Sequence, residues 1–194
     1  MASEGNAASS PRPLAVPSSG KLRRIVHWPD PVLLRRAAPV ATIDDRVRGL
    51  LADMVRVMRE EEGAGLAAPQ VGESARVFIV EARVEEDGRP AEPLGVYINP
   101  RIVAMEGPVE PFEEGCLSLP EIRVDIRRPP KVTIEALDAD GNPFSRTDAG
   151  ILARIWQHEF DHLEGTLILD RMTPIDQLAT KKRLKELREA YETR

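Results

Sequence analysis

Gln157-His158-Glu159-Phe160-Asp161-His162-Leu163-Glu164-Gly165 places two of the chain's three histidines four residues apart, with a glutamate directly after the first. Upstream, Ile151, Ile155, His158 and His162 follow at successive spacings of four, three and four, so they share one face of a helix. That helix is expected over about 149–163, with Thr147 or Asp148 as its cap and Gly165 as its stop. Two imidazoles on adjacent turns of one face can both reach an ion about 2 Å away. Glu159 is not needed as a ligand and can reach a water on that ion. Shuffling this chain's own residues produces the H-E-x-x-H pattern only on the order of once in a few hundred trials.

A catalytic site of this kind takes three protein ligands and leaves one position for water. The third ligand must come from elsewhere, and two sources compete. Cys116, the only cysteine, stands in Glu113-Glu114-Gly115-Cys116-Leu117-Ser118. A thiolate binds borderline divalent metals strongly, although a lone cysteine is usually a small buried hydrophobe. Glu186 or Glu189 would instead make a thermolysin-like zinc protease. Both lie among Lys181, Lys182, Arg183, Lys185 and Arg188, where acids between bases suit a solvated helix with i,i+3 and i,i+4 pairs. Spacing favours Cys116 and leaves the glutamates open.

The rest of the chain suggests an α+β domain over 21–194, with short strands in small, mainly antiparallel sheets around the central helix that carries H-E-x-x-H. Residues 1–20, rich in Ala, Ser, Pro and Gly, read as a flexible tail. A transit peptide is the alternative there, opposed by Glu4 and the prolines. A first helix is expected over about 43–62, opened by a Thr42/Asp45 capping box. Strands are expected at 76–81, 95–98 and 132–137, separated by turns such as Asp87-Gly88 and Asp140-Gly141. A third helix begins near Ile175. The 194 residues are 42% hydrophobic and carry a net charge of −5, which opposes a generally basic nucleic-acid binder and a DNA partner. No stretch approaches the roughly 18 apolar residues of a membrane span. A single cysteine forms no internal disulfide, so a reducing cytoplasm fits best.

Three segments then act together: Gly63-Ala64-Gly65-Leu66-Ala67-Ala68-Pro69-Gln70, Glu114-Gly115-Cys116-Leu117-Ser118, and Gln157-His158-Glu159-Phe160-Asp161-His162. In order and spacing they resemble the three signature motifs of the peptide deformylases. Pro29-Asp30-Pro31-Val32-Leu33 and Ile98-Asn99-Pro100 look familial as well. The resemblance implies hydrolysis of the formyl group from the N-terminal formylmethionine of nascent proteins, with release of formate. It implies one divalent ion per chain, Fe2+ first and Zn2+, Ni2+ or Co2+ in purified protein, held by Cys116, His158 and His162. Glu159 is then the proton carrier, and the Gln70 amide and Leu117 N–H stabilise the oxyanion.

Gly65 is expected to offer its backbone to an extended peptide. Ile151 and Ile155, on the metal face, are the natural wall for the methionine side chain, with core packing as their alternative. Ala64 stands where larger branched residues are common in the family, which leaves the pocket width open. Glu114 and Arg123 match family positions and are expected to pair or to orient a ligand. Asp161 is expected off the ligand face, and His27 is read as structural. The locally basic segment after Lys181 suggests a helix that docks at the ribosome, as in similar bacterial enzymes, with an ordinary solvated helix as the alternative. Two rival functions are a zinc endopeptidase using Glu186 or Glu189, and a catalytically idle ribosome-associated binder.

Overall fold

The computed structural model describes residues 23–81 and 93–193. The expected tail at 1–20 and the Asp87-Gly88 turn lie outside them.

Val77-Phe78-Ile79-Val80 shows how the core is divided. This run forms β2 (Val77–Val80), and every residue in it is buried. Successive side chains of a strand point to opposite faces. Val77 and Ile79 accordingly pack with Leu51, Met54 and Met58 of α1 (Asp45–Glu60). Phe78 and Val80 pack with Leu152, Ala153 and Trp156 of α2 (Gly150–Leu163). A strand covered on both sides reads as a continuous apolar run. The two helices thus lie on opposite faces of one sheet.

That sheet has five strands in the order β1-β2-β3-β6-β7, all antiparallel: β1 (Gly65–Ala67), β2, β3 (Gly95–Glu106), β6 (Lys131–Leu137) and β7 (Pro143–Ala149). A separate two-stranded ribbon consists of β4 (Glu110–Cys116) and β5 (Leu119–Arg128). Its buried residues Leu119, Ile122, Val124 and Ile126 meet Leu167, Ile168 and Met172, together with Leu187 of α3 (Pro174–Glu192). The architecture is α+β and mainly antiparallel, as the sequence implies.

Several boundaries differ from expectation for physical reasons. Asp44, not Thr42, caps α1, its carboxylate accepting the Val47 N–H at 3.0 Å. Thr147 and Asp148 do not cap α2. They belong to β7, an exposed polar edge strand whose sequence carries little strand signal. β3 continues past Asn99-Pro100 through two register shifts. Asn99 takes φ 51°, and its side chain exchanges two hydrogen bonds with the Val40 backbone, both at 2.8 Å. Gly165 does stop α2 as expected, at φ +72°, and a Cβ there would meet the Arg35 backbone at 2.8 Å.

One polar bond is locked in the α2 face of the core. The Trp156 indole N–H donates to the Tyr97 hydroxyl at 2.9 Å, with both residues essentially inaccessible. Tyr97→Phe leaves that donor unpaired. The expected cost is about 1–3 kcal/mol, read as a lowered urea midpoint with the slope unchanged.

Candidate metal centre

The site lies where three elements converge: the edge strand β1, helix α2, and the end of ribbon strand β4. α2 presents His158 and His162 one turn apart. Cys116 arrives from the ribbon, at the irregularity between Gly115 and Cys116 where the pairing register shifts. The Cys116 Sγ stands 3.3 Å from His162 Nε2. The ligand atoms of Cys116, His158 and His162 all lie within 4.8 Å of one another. Bonds of about 2.0–2.3 Å to one tetrahedral ion place such atoms roughly 3.3–3.6 Å apart. The donor set therefore fits one ion. Glu186 and Glu189 are on α3, paired with Arg183, Lys182 and Lys185. They are not ligands here.

A carboxylate fixes the first histidine. His158 Nδ1 lies 3.0 Å from Glu114 Oε2. This orients the ring and leaves Nε2 for the metal side. Glu114 is itself held by Arg128, whose Nε and Nη2 donate at 2.7 and 2.9 Å, and by Arg154 Nη1 at 2.8 Å. Arg128 also donates to Asp161 at 2.7 Å, and Arg171 closes on the same Asp161 carboxylate at 2.6 Å. Burial favours the protonated form of Glu114, but the hydrogen bonds from His158 and Arg128 outweigh it and hold the carboxyl at about 2.

The expected pairing of Glu114 with Arg123 does not occur. In the ribbon register Glu114 faces Val124 and Arg123 faces Gly115, so Arg123 projects from the opposite face. It pairs instead with Glu113 at 3.6 Å, where both side chains are exposed. Arg128 and Arg154 are the functional neighbours that reading from sequence misses. A signal for each exists: Arg128 continues the buried phase of Ile122, Val124 and Ile126, and Arg154 interrupts the apolar run around Leu152, Ala153 and Trp156. Asp161 serves this network rather than solvent.

Glu159 occupies a different environment. It is buried, its Oε2 has no hydrogen-bond partner among the described residues, and burial raises its carboxyl to about 7. A Cβ on Gly65 would lie 2.6 Å from Glu159 Oε1. The glycine is thus required by the approach of Glu159 itself, whatever it also offers a substrate. The two histidines are pushed apart. Burial disfavours the charged form of both, but bonds to Cys116 and Glu114 raise His158 well above its usual value. Burial and the His158 charge depress His162.

Gln70 is buried at the end of the 3-10 turn Ala68–Val71. Its Oε1 accepts the Ala67 N–H at 2.9 Å, which turns its amide nitrogen towards Cys116 Sγ, 3.6 Å away. A cavity of about 350 Å³ opens above these groups. Ile151 is 42% exposed at its mouth, so it is not core. Ile155 is half-buried and also packs into the α2 core. Ala64, Leu117 and Arg123 line the same cavity.

Residues 22–178 match the family model described as polypeptide deformylase. The chain belongs to that family. Among curated relatives, the peptide deformylase of Acidobacterium capsulatum is 40% identical over 171 residues, covering 88% of this chain and 98% of its own. That of Pseudomonas aeruginosa is 41% identical over 162 residues, covering 84% and 94%. Of solved structures, a Plasmodium falciparum peptide deformylase superposes with a TM-score of 0.81 at 39% identity, covering 87% of this chain and 97% of its own. One from Legionella pneumophila gives 0.77 at 36% identity, covering 90% and 99%. The deformylase fold thus spans nearly all described residues.

The Glu114 network makes a pH-dependent contribution to stability. Its folded-state carboxyl sits near 2 against an ordinary 4.5. The contribution is therefore complete above about pH 4.5 and is lost as pH falls towards 2. In metal-stripped protein, Glu114→Gln is expected to cost about 3–5 kcal/mol near neutral pH. The gap between wild type and variant in urea unfolding should narrow steadily below pH 4.5. A gap independent of pH would contradict this account.

Proposed function

We propose that this chain is a peptide deformylase that removes the formyl group from the N-terminal formylmethionine of nascent proteins and releases formate. The observation that carries this reading is a three-donor cluster of Cys116, His158 and His162 beside a cavity, next to the buried Glu159 carboxylate, whose Oε2 has no hydrogen-bond partner among the described residues. The donor set suits Fe2+, the expected native ion, and also accepts Zn2+, Ni2+ or Co2+. Such an ion, when bound, supplies an acidified water and a Lewis acid for the formyl oxygen.

The remaining steps belong to the chain. Glu159 takes a proton from the attacking water and delivers it to the leaving amine. Burial raises its carboxyl and the charges of His158 and Arg128 oppose that rise, leaving it near 7, where it can take up this proton and return it. Gln70, its amide turned by the Ala67 N–H, donates to the developing oxyanion, and the Leu117 N–H is the second donor. Glu114 holds the His158 ring. The substrate chain lies extended along the free edge of β1 at Gly65, with its methionine side chain against Ile151 and Ile155. Ala64 leaves that slot wide, and Arg123 with Glu113 stands where the peptide leaves it.

Formate release from formyl-Met-Ala-Ser by anaerobically purified, iron-loaded protein tests the reading directly. Glu159→Ala should keep its metal and lose about 10²–10⁴-fold in kcat, whereas Cys116→Ala should lose metal. A metal-loaded wild type that releases no formate would sink the assignment.

A thiolate ligand and a ferrous ion both need reducing surroundings, so the cytoplasm is the proposed compartment. No helix among the described residues is long and apolar enough to cross a membrane. Ribosome docking through α3 is the proposed route to the nascent chain. Lys181, Lys182 and Lys185 are exposed there, whereas Arg183 is tied to Pro120 and Glu121. Because Leu187 anchors α3 in the core, charge reversal tests this better than deletion. The variant with Lys181, Lys182 and Lys185 all changed to Glu should lose ribosome co-sedimentation yet keep its rate on the short peptide. Unchanged co-sedimentation would remove the idea.

A further inference from the structure

The metal donors come from two bodies that share no sheet. His158 and His162 ride on α2, which packs on the five-stranded sheet, whereas Cys116 ends a strand of the separate ribbon. Something must set the distance between them. Arg154 lies one turn before His158 on α2 and is 9% exposed. Its Nη2 donates to the Glu110 carbonyl at 2.9 Å, its Cζ lies 5.2 Å from the centroid of the Phe112 ring, and its Nη1 donates to Glu114 Oε1 at 2.8 Å. These are alternate positions of β4, and the next in that spacing is Cys116. Nη1 also donates to the Ile126 carbonyl of β5 at 2.9 Å.

We propose that Arg154 is a positioning residue of the metal centre, clamping the β4–β5 ribbon to α2 and thereby fixing the Cys116 thiol against the two imidazoles. The inference rests on the metal-centre reading above. Neutralising Glu114 does not account for these contacts, because Arg128 already holds both carboxylate oxygens. The bonds to two main-chain carbonyls on two strands serve placement rather than charge. Arg128 makes the reverse tie, from β5 to Asp161 on α2. A rigid planar fork presents its donors in fixed directions to several acceptors, whereas a lysine ammonium is a compact point charge on a flexible stem.

Chelator-driven metal release from the cobalt-loaded full chain, followed by the decay of cobalt absorption, tests the clamp without reference to activity. Arg154→Leu should release cobalt at least about tenfold faster than wild type, within the usual range for residues that orient metal ligands. Arg154→Lys should fall between. Arg76→Leu, which removes a buried cation bonded to Glu164 and Pro100 away from the ribbon, should stay within about twofold even though it loses stability. Release from Arg154→Leu at the wild-type rate would overturn the proposal. So would an equal acceleration in Arg76→Leu, since general loosening would then explain it. Should Arg154→Leu fail to fold, Arg154→Lys at the wild-type rate overturns it equally. A wild type that takes up no cobalt would instead overturn the metal-centre reading beneath it.

Discussion

Burying the Glu114 carboxylate beside His158 imposes the constraint that the rest of the structure answers. An ionised carboxylate removed from water is costly unless charge and hydrogen bonds compensate it. Here Arg128, Arg154 and His158 do so, and they come from β5 and α2, on either side of the strand that holds Glu114. Satisfying one side chain therefore requires ribbon and helix to meet in a single arrangement. That arrangement also brings Cys116 to His162.

Replacing such a network with apolar groups can leave a protein as stable or more so, so stability alone does not explain it. Directionality is the better account. Apolar contacts between the ribbon and α2 would tolerate sliding, because the hydrophobic effect is non-directional. Guanidinium hydrogen bonds tolerate much less, since Arg154 reaches acceptors on both ribbon strands and Arg128 reaches back to Asp161 on α2, each in a fixed direction. A metal site assembled from a helix and a separate ribbon needs that fixity. The apolar cluster of Leu119, Ile122, Val124 and Ile126 supplies the ribbon's cohesion with α3, and the charges supply its register on α2.

The parts of this design that were legible in the sequence are those encoded locally. Helical spacing revealed the two histidines and their shared face, and the run at 77–80 showed as a strand. Cys116 was only favoured by spacing, with Glu186 and Glu189 still open, and the family resemblance singled it out. β4 and β7 escaped because exposed polar strands such as Glu110–Cys116 and Pro143–Ala149 have too few apolar residues to show a period. Arg128 and Arg154 escaped for another reason. Their partners lie 14 to 44 residues away, and a charged residue in isolation reads as solvated. Only the phase of Arg128 with Ile122, Val124 and Ile126 marks it as buried, and that phase becomes visible once β5 is recognised.

The distribution of charge around the site explains why Glu159 differs from its neighbours. Glu114 and Asp161 share the guanidiniums of Arg128, Arg154 and Arg171, so that network is already compensated. Glu159 has no ion pair among the described residues, and its partners are the cavity and the Gly65 backbone. A guanidinium bonded to it would lower its proton affinity permanently and remove it from acid–base work. Leaving it buried and unpaired keeps its pKa near 7, where it can both accept and return a proton. On the proposed assignment, the same fold holds one glutamate ionised beside His158 and keeps another, next to His158 in sequence, poised to exchange its proton. The difference between them lies in which carboxylate the guanidiniums of Arg128 and Arg154 reach.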